Sequence, residues 1–453
     1  MFREYDIRGI AESDLACPIS IALGKAVGTY FRKRGIGTIV LGRDCRLSSE
    51  RLLLELSDGL LSTGINIVDI GIVPTPLVYY SLHQYDDVGG GVMITASHNP
   101  SEYNGLKISC GTASIHGEEI KKIAKLLETD DFEKGEGKQE CREVKKAYVD
   151  MIYERIGKLS RPLRVVVDAG NGMASELAPK VYRELGCEVT ELFCELNGRF
   201  PNHHPDPTIK ENLSHLVASV KRNKADFGIA YDGDADRLGV VDHEGRIVWG
   251  DEIMILFSRE ILSRVPGATI IGEVKCSNNL YREVEKNGGK AIMWKAGHSL
   301  IKEKMRSSGA VLAGEMSGHI FFSDGFYGFD DAIFAGARLL KLVADSSHSI
   351  RWLLRDVPEI YNTPEIKIQT REDLKFKIVQ RLQVHFNKEY ETVTIDGVRI
   401  SFKHGWGLVR ASNTGPNLVL RFEANSSKQL ARIRSLVESK VMDVISGMNQ
   451  ECG

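Results

Sequence analysis

The chain has 453 residues, enough for about three domains that each bury a core of their own. Hydrophobic residues make up 42% of it and charged residues 26%, a composition typical of globular proteins. The formal net charge of −2 argues against a binding surface for nucleic acid or for an anionic membrane. Any anion that the protein binds must therefore be met by a local cluster of donors.

The amino-terminal residues are too polar for a signal peptide, and no apolar run approaches the length that spans a bilayer. The eight cysteines include no Cys-x-x-Cys pair and have no histidines at zinc-binding spacing. We therefore expect a cytoplasmic protein with reduced thiols.

Apolar strands and helical segments alternate in the first third of the chain. Strands are predicted at residues 38–42, 65–70 and 92–94, with one helix at 48–62 and another after the prolines that follow the second strand. This alternation is typical of a parallel sheet with crossover helices. A charged segment of helical character follows at 118–146.

The same pattern starts twice more. Strands are predicted at 164–167 and 227–230 in the second start, and at 269–272 and 310–313 in the third. In each unit a strand ends in a polar loop, and these loops begin near Thr95, Tyr231 and Gly314. The units share negligible sequence identity, so the repeat is one of topology.

From about Pro364 the pattern changes. A strand at 365–369 and a helix at 372–387 precede two alternating stretches around Asp396 and Gly397, which predict a hairpin. Further strands and a final helix complete an α+β unit. We therefore expect an α/β protein with three related domains of mixed, mostly parallel sheets and a smaller α+β C-terminal domain.

Ser97 lies in a turn directly after a predicted buried strand. The strand enters the stretch Thr-Ala-Ser-His-Asn-Pro, and Lys107 follows a few residues later. A strand that ends in small and polar residues places them at the carboxyl edge of an α/β sheet, where such proteins bind ligands. An ordinary strand-to-loop exit with an Asn-Pro turn has the same pattern. The assignment of a site to Ser97 therefore needs support from elsewhere in the chain.

Three aspartates alternate in the sequence Asp232-Gly-Asp234-Ala-Asp236-Arg237, after the strand predicted at 227–230. Three carboxylates in one short loop repel each other unless a cation joins them. An EF-hand is excluded, because its sixth and twelfth positions would here be Arg237 and His243. Oxygen ligands without cysteine or imidazole nearby favour Mg²⁺ over zinc. The alternative is an aspartate-rich turn capped by its own backbone.

A third loop, Gly-Glu315-Met-Ser317-Gly-His319, carries groups suited to a sugar. Its carboxylate and hydroxyl suit sugar hydroxyl groups, and its imidazole suits proton exchange. The flanking glycines allow a ligand to approach the backbone closely. A capped turn would have the same composition.

A fourth loop, Arg410-Ala-Ser412-Asn413-Thr414-Gly, is a dense set of hydrogen-bond donors. Such a loop can hold a phosphate without a Walker motif, and the chain contains no Walker motif. A hairpin turn is the alternative. Smaller candidates are Tyr5, Arg8, Lys275 and the stretch Lys-Ala-Gly-His at 295–298, each of which alone is typical of a surface residue.

Taken in order, the four loops resemble those of the α-D-phosphohexomutase family. Thr-Ala-Ser-His-Asn-Pro is similar to its phosphoserine loop, and Asp-Gly-Asp-Ala-Asp-Arg is similar to its magnesium loop. Gly-Glu-Met-Ser-Gly-His resembles its sugar-binding loop, and Arg-Ala-Ser-Asn-Thr its phosphate-binding loop. The amino-terminal Tyr-Asp-Ile-Arg-Gly also fits, so the resemblance covers essentially the whole chain.

The resemblance implies four domains around a central cleft. Their expected limits are residues 1–146, 147–250, 251–364 and 365–453, carrying the phosphoserine, magnesium, sugar and phosphate loops in that order. The three starts of the strand–helix pattern and the change near Pro364 agree with this division. A fourth domain that moves on a hinge near Pro364 would let one phosphate loop serve two orientations of a substrate.

The resemblance also implies roles for individual residues. Ser97 would carry a phosphoryl group, and the metal site would consist of Ser97, Asp232, Asp234 and Asp236 around Mg²⁺. Candidates for proton transfer and charge stabilisation are Arg8, Lys107, His298 and His319. Residues implied in substrate binding are Tyr5, Arg237, Lys275, Glu315, Ser317, Arg410, Ser412, Asn413 and Thr414.

The implied activity interconverts hexose 1-phosphate and hexose 6-phosphate through a phosphoserine enzyme. Hexose 1,6-bisphosphate would be both intermediate and activator. Methionine in the sugar loop resembles the branch that acts on mannose and glucose phosphates, whereas phosphoglucosamine mutases typically carry glutamine there. The partners would be small-molecule hexose phosphates, without nucleic acid or membrane, and the protein would be a monomer or a dimer.

Three other functions are compatible with the same residues. One is a phosphoglucosamine mutase, and another is a Mg²⁺-dependent sugar phosphatase that transfers the phosphoryl group to water. The third is a non-catalytic sensor of sugar phosphates. The intact aspartate triad argues against the sensor, since binding alone does not require a metal beside a serine.

Overall fold

A computed structural model describes residues 1–413 and 415–451, which form four β-sheets with helices packed against them. The first three sheets are mixed, and the fourth is antiparallel throughout. Three α/β units and a C-terminal α+β unit follow one another along the chain, which confirms the predicted fold class. Within the described residues, no helix is both long enough and apolar enough to cross a bilayer.

The first unit contains a seven-stranded sheet in the order β1-β5-β4-β2-β3-β7, with β6 paired to β5. Its strands are β1 (Ile7–Ile10), β2 (Thr38–Arg43), β3 (Asn66–Ile72), β4 (Gly90–Ile94), β5 (Tyr103–Cys110), β6 (Ala113–Ser114) and β7 (Gln139–Cys141). Its helices are α1 (Cys17–Arg32), α2 (Ser49–Leu61), α3 (Thr75–Gln84) and α4 (Glu118–Thr129). Strand β4 is buried along its whole length, as its continuous apolar sequence predicts.

The second unit contains a five-stranded sheet whose strands are β8 (Arg164–Asp168), β9 (Glu188–Leu192), β10 (Phe227–Tyr231), β11 (Leu238–Asp242) and β12 (Ile247–Val248). Their order is β12-β11-β10-β8-β9. The helices are α5 (Lys145–Ile156), α6 (Ala174–Leu185) and α7 (Ser214–Arg222), the last preceded by a 3₁₀ turn at Lys210–Leu213.

The third unit contains a four-stranded sheet whose strands are β13 (Thr269–Glu273), β14 (Lys290–Trp294), β15 (Leu312–Gly314) and β16 (Ile320–Phe322). Their order is β14-β13-β15-β16. The helices are α8 (Gly250–Arg264), α9 (Asn278–Lys286), α10 (His298–Ser308), α11 (Ala332–Ser346) and α12 (Ile350–Leu353). The domain limits expected at 146 and 250 thus fall in the first turns of α5 and α8.

The fourth unit contains strands β17 (Tyr361–Asn362), β18 (Ile366–Gln369), β19 (Thr392–Val393), β20 (Val398–Phe402), β21 (Gly405–Ala411) and β22 (Asn417–Ala424). Strands β19 and β20 form the hairpin predicted around Asp396 and Gly397. Helices α13 (Lys375–Phe386) and α14 (Ser427–Glu451) cover one face and enclose a core separate from those of the other units.

Each α/β unit contains a returning strand that the sequence pattern does not predict. After the polar loop the chain turns back, so that β5 pairs antiparallel with β4, β11 with β10 and β16 with β15. A short connection allows only this antiparallel pairing, because a parallel return needs a crossover of a dozen residues or more. Each polar loop is therefore held between two hydrogen-bonded strands.

Candidate active site

Four loops from different parts of the chain surround one cleft. The loops after β4, β10 and β15 lie at the carboxyl ends of parallel strands, and the loop between β21 and β22 faces them. The cleft has a volume of about 1160 Å³. Every predicted site residue that the structure describes lines it, except the three aspartates, which are fully buried beside it. Thr414 was also predicted for the site and lies outside the described residues.

Ser97 follows β4 in a tight turn with a positive backbone φ of 51°. Its N–H donates to Oγ1 of Thr95 at 2.9 Å, and Nη2 of Arg46 donates to its carbonyl oxygen at 2.7 Å. The Ser97 hydroxyl donates to Oδ2 of Asp232 at 2.7 Å. The turn therefore fixes the Ser97 hydroxyl against the aspartate loop of the second unit.

Arg46 holds this turn in place, and the sequence reading did not identify it. Its guanidinium is buried and donates to the carbonyl oxygens of Ser97, Asn99, Pro100 and Tyr103 at 2.6–3.1 Å. One planar cation thus collects four carbonyl groups of a single loop. The sequence signal was the Gly-Arg-Asp-Cys-Arg stretch at the end of β2, which by itself is typical of a polar strand end.

The carboxylates of Asp232, Asp234 and Asp236 converge, with ligand atoms within 4.8 Å of one another. The ammonium group of Lys107 lies 2.6 Å from Oδ2 of Asp234 and 2.5 Å from Oδ2 of Asp236. Thr75, at the start of α3, donates its hydroxyl to Asp234 at 2.5 Å. Lys107 reaches these aspartates from the returning strand β5.

The aspartate loop fits a divalent cation. Oδ1 of Asp234 and Oδ1 of Asp236 are buried and have no hydrogen-bond partner among the described residues. Burial and the neighbouring carboxylates raise the pKa of Asp232 well above its usual range. Burial alone would lower the pKa of Lys107, but Asp234 and Asp236 outweigh it and raise that pKa. Hard oxygen donors with unsatisfied lone pairs are what Mg²⁺ binds in proteins.

His98 stands beside the serine, and its Nδ1 lies 3.1 Å from Oγ of Ser97. Desolvation, followed by the charges of Arg237 and Arg8, lowers the pKa of His98 well below its usual range. The imidazole is therefore neutral at pH 7. Arg8 itself donates to Oδ1 of Asn99 at 2.9 Å and to Oδ2 of Asp6 at 2.5 Å, so the amino-terminal strand meets the serine loop.

The third loop presents a carboxylate whose two oxygens have different partners. Oε2 of Glu315 accepts from the Ser317 hydroxyl at 2.9 Å, and Oε1 accepts from the Gly297 N–H at 2.6 Å. The second contact ties the loop after β15 to the start of α10, where His298 lies. Glu315, Ser317 and His298 therefore belong to one continuous wall of the cleft.

The fourth loop is tied to the first and third units. Nδ2 of Asn413 donates to the hydroxyl of Tyr5, which in turn donates to the carbonyl oxygen of Ala296 at 2.8 Å. Nε of Arg410 donates to Oδ2 of Asp396 at 3.0 Å, at the tip of the β19–β20 hairpin. Ser412 lies at the mouth of the same loop, where its N–H donates to the carbonyl oxygen of Asn417 at 2.8 Å.

Lys275 links the third and fourth units. Its ammonium group lies 2.7 Å from Oε1 of Glu365 and 3.8 Å from Oε1 of Glu273. The ammonium group of Lys275 lowers the pKa of Glu365, whereas burial raises it. The charge of Lys275 outweighs burial, so the pKa of Glu365 falls to about 2. Glu365 is thus a further cleft residue that the sequence reading did not identify, because its partner is distant in sequence. Asp396 does not line the cleft and acts there through Arg410.

The arrangement places a serine hydroxyl, a carboxylate triad and several cations within one cleft. A hydroxyl held beside a divalent cation and cationic side chains can carry a phosphoryl group, because these charges offset the charge on the phosphorus oxygens. Carboxylate and hydroxyl groups on the opposite wall can accept and donate to sugar hydroxyls. The geometry therefore suits phosphoryl transfer to and from a sugar.

Comparison with known proteins agrees with this chemistry. The phosphoglucomutase/phosphomannomutase α/β/α domains I, II and III match residues 1–134, 146–245 and 249–361, and the C-terminal domain of that family matches residues 365–440. A phosphomannomutase/phosphoglucomutase from Pseudomonas putida is 46% identical over 98% of this chain and 96% of its own. A phosphoglucomutase from Neisseria gonorrhoeae is 43% identical over 96% of this chain and 95% of its own.

A solved structure supports the same assignment. A phosphoglucomutase/phosphomannomutase family protein from Burkholderia thailandensis superposes with a TM-score of 0.92 at 43% identity, covering 98% of this chain and 97% of that one. The match therefore includes all four units and their order. The chain belongs to the phosphoglucomutase/phosphomannomutase family of α-D-phosphohexomutases.

Proposed function

We propose that the protein interconverts hexose 1-phosphate and hexose 6-phosphate, with Ser97 as the phosphoryl carrier. One contact carries the assignment of Ser97: its hydroxyl lies 2.7 Å from Oδ2 of Asp232, at the edge of a buried carboxylate triad. A serine in such a position faces both a candidate metal site and a cleft large enough for a sugar phosphate. The mutase activity is that of the family to which the chain belongs.

Asp232, Asp234 and Asp236 would hold Mg²⁺, which supplies positive charge against the phosphoryl oxygens when it is bound. The chain contributes further positive charge at the same place. Lys107 lies within 2.6 Å of two of the aspartates, and Nε of Arg237 lies 3.9 Å from Oδ2 of Asp232. Together these cations would stabilise the charge that develops on the transferring group.

The reaction takes two phosphoryl transfers. In the first, a free sugar hydroxyl attacks phosphoserine 97, the new P–O bond to the sugar forms, and the bond from phosphorus to Oγ breaks. The hydroxyl proton passes to a base in the cleft, for which His319 and His298 are the candidates. After the hexose 1,6-bisphosphate turns over in the cleft, Oγ of Ser97 attacks its other phosphorus and the bond from that phosphorus to the sugar oxygen breaks. The proton held by the base passes to that sugar oxygen, which leaves the isomeric monophosphate.

The phosphate that is not being transferred needs a site of its own. We assign it to Arg410, Ser412, Asn413 and Thr414 on the fourth unit, together with Lys275 and Tyr5. Glu315 and Ser317 would contact the sugar hydroxyls from the third unit. A single set of contacts then holds either phosphate while the other faces Ser97, which the two orientations of the bisphosphate require.

Mannose and glucose phosphates are the proposed substrates. Met316 lines the cleft between Glu315 and Ser317, and its thioether is only a weak acceptor for an amino group on the sugar. A glucosamine phosphate would therefore gain little at this position. The cytoplasmic location, the monomeric or dimeric state and the domain limits stay predictions.

A coupled assay tests the proposed function. The protein is given mannose 1-phosphate, glucose 1-phosphate or glucosamine 1-phosphate with Mg²⁺ and a trace of glucose 1,6-bisphosphate, and the 6-phosphate is measured. We expect turnover of the first two sugars and much slower turnover of the third. Removal of divalent cations with a chelator should abolish turnover, and added Mg²⁺ should restore it.

Two outcomes would favour another function. Steady release of inorganic phosphate without isomer formation would indicate a phosphatase. Binding of sugar phosphate without turnover, and without a labelled phosphoryl group on Ser97 after incubation with the bisphosphate, would indicate a sensor. Preferred turnover of glucosamine 1-phosphate would overturn the assigned substrate while leaving the mutase chemistry intact.

A further inference from the structure

A buried carboxylate that the proposed chemistry does not use lies directly behind the cleft. Asp330 is fully buried at the start of α11 and is absent from the cleft wall. Its Oδ2 lies 3.1 Å from Nδ1 of His319 and 3.8 Å from Nδ1 of His298. Both histidines do line the cleft, and their rings stack with centroids 5.7 Å apart. Asp330 thus contacts both candidate bases from the side away from the substrate.

Within the part of the chain that the structure describes, three buried polar atoms at this point lack a hydrogen bond of good geometry. They are Nδ1 of His298, Nδ1 of His319 and Oδ2 of Asp330. Nδ1 of His319 also lies 3.5 Å from Oδ1 of Asp236. Buried polar groups are rarely left unpaired, because desolvation without a partner costs free energy. Nδ1 of His319 and Oδ2 of Asp330, 3.1 Å apart, are close enough to pair with each other.

Arg237 determines the tautomer of His319. Nε of Arg237 donates to Nε2 of His319 at 3.0 Å. An arginine can only donate, so Nε2 must offer its lone pair and the proton of a neutral ring must be on Nδ1. Nδ1 lies 3.1 Å from Oδ2 of Asp330. The carboxylate and the guanidinium therefore define one orientation of the ring between them.

Lys302 keeps Asp330 ionised. Its ammonium group is 2% exposed, lies 3.0 Å from Oδ1 of Asp330 and is 3.9 Å from the centre of the Tyr79 ring. Burial alone would raise the pKa of Asp330, but Lys302, followed by the two histidines, outweighs it and holds that pKa well below the usual range. One oxygen of the carboxylate is thus occupied by Lys302, and the other remains for the histidines.

We propose, on the basis of the mutase activity proposed above, that Asp330 is a positioning residue for proton transfer. It holds His319 in the Nδ1–H tautomer, with the Nε2 side of the ring toward the cleft, and it fixes the ring of His298 beside it. Asp330 acts through the histidines and touches no substrate. Its carboxylate is needed because two donors, Lys302 and His319, face its two oxygens.

Asp330→Asn tests this role, since an amide offers an oxygen to one donor and an NH₂ group to the other. We expect kcat to fall by about 10- to 100-fold, part of what a positioned acid or base contributes, with KM changed by less than about threefold. Asp331→Asn is the matched control. Asp331 is also buried, contacts the hydroxyl of Tyr148 and caps α11, and these side-chain partners, among the residues that the structure describes, lie outside the cleft wall. Its variant should keep the wild-type kcat.

A double-variant cycle separates positioning from general support of the fold. If Asp330 acts through His319, Asp330→Asn should lower kcat little further in a His319→Gln background. Losses that multiply, or a wild-type kcat in Asp330→Asn alone, would overturn the role.

If Asp330→Asn fails to fold, Asp330→Asn with Lys302→Met removes the unpaired ammonium. A wild-type kcat in that double variant would also overturn the positioning role.

A readout without turnover separates this role from the mutase activity. Ring ¹⁵N spectra of labelled histidines report the tautomer directly. Asp330→Asn should shift the signals of His298 and His319, and Asp331→Asn should leave them unchanged. Unshifted signals would contradict the positioning role, whereas shifted signals in a protein without mutase activity would contradict only the proposed function.

Discussion

Ser97 occupies a backbone conformation that favours glycine, with φ at 51°. A side chain in this region costs about 1 kcal/mol, yet here it carries the hydroxyl that contacts Asp232. We therefore expect Ser97→Ala and Ser97→Gly both to lose turnover. Because glycine relieves the strain and alanine keeps it, Ser97→Gly should be more stable than Ser97→Ala by about 1 kcal/mol.

Thermal unfolding and the coupled assay check both parts of this prediction on the same samples. Turnover by Ser97→Ala would contradict the carrier role of the serine. An alanine variant as stable as the glycine variant would show instead that the turn holds Ser97 without strain. The two results are independent, because one concerns Oγ and the other Cβ.

Residues of the site that form local clusters could be predicted from the sequence, and those with distant partners could not. Asp232, Asp234 and Asp236 repel one another within five positions of the chain, so the sequence alone favours a cation there. Asp330 stands in an Asp-Asp pair before a helix and Arg46 in a polar strand end, and neither pattern indicates a site. Their roles depend on contacts with Lys302, His319 and the Ser97 loop, which only the folded chain brings together.

At the scale of elements, the loops after β4 and β10 approach each other across the boundary between the first two units. A Cβ atom at Gly233 would lie 2.4 Å from the carbonyl oxygen of Ser97. Gly233→Ala must therefore push the serine loop and the aspartate loop apart. A displacement of about 1 Å at a reacting group can lower a rate about 100-fold, and we expect a loss of kcat of that order.

Gly37→Ala provides the control for this loop contact. A Cβ atom at Gly37, between α1 and β2, would meet nothing within 4 Å, so this variant should keep the wild-type kcat. The coupled assay compares the two variants, and thermal unfolding shows whether each is folded. A wild-type kcat in folded Gly233→Ala would mean that the two loops adjust without separating Ser97 from Asp232.

The strands that enter these loops could be predicted, and the strands that leave them could not. Strand β4 is a continuous apolar run, as expected for a strand buried on both faces. Strand β5 instead contains Asn104, whose amide donates to the Ser48 and Ser49 hydroxyls, and Lys107, which contacts the aspartates. These buried polar residues interrupt the apolar pattern by which a strand is identified, so the pattern does not predict β5.

At the scale of the whole molecule, the fourth unit has its own core, and polar contacts together with a small apolar cluster join it to the third unit. The cluster consists of Val274, Trp406 and Leu408. Asp396 makes one of these polar contacts and also holds Arg410 within the fourth unit, both through one oxygen. Its Oδ2 accepts from the Ala296 N–H of the third unit at 3.1 Å and from Nε of Arg410 at 3.0 Å. The same carboxylate thus orients the proposed phosphate ligand and ties its unit to the wall that carries His298.

We expect Asp396→Asn to raise KM for the hexose phosphate about tenfold, with a smaller effect on kcat. A hydrogen bond to a charged group contributes about 1.5–3 kcal/mol when it is well shielded, and about 1.4 kcal/mol corresponds to tenfold in affinity. Asp373→Asn is the control, since Asp373 is exposed on the same unit and pairs with neighbouring Arg371. That variant should keep the wild-type KM.

Small-angle scattering tests whether this contact also governs the position of the fourth unit. If the unit closes on substrate by a hinge near Pro364, glucose 1-phosphate should reduce the radius of gyration of the wild-type protein. Asp396→Asn should show a smaller reduction at the same ligand concentration, because the closed arrangement has lost one of its ties to the third unit. A wild-type profile unchanged by ligand would exclude the hinge. A raised KM with an unaltered contraction would confine Asp396 to orienting Arg410.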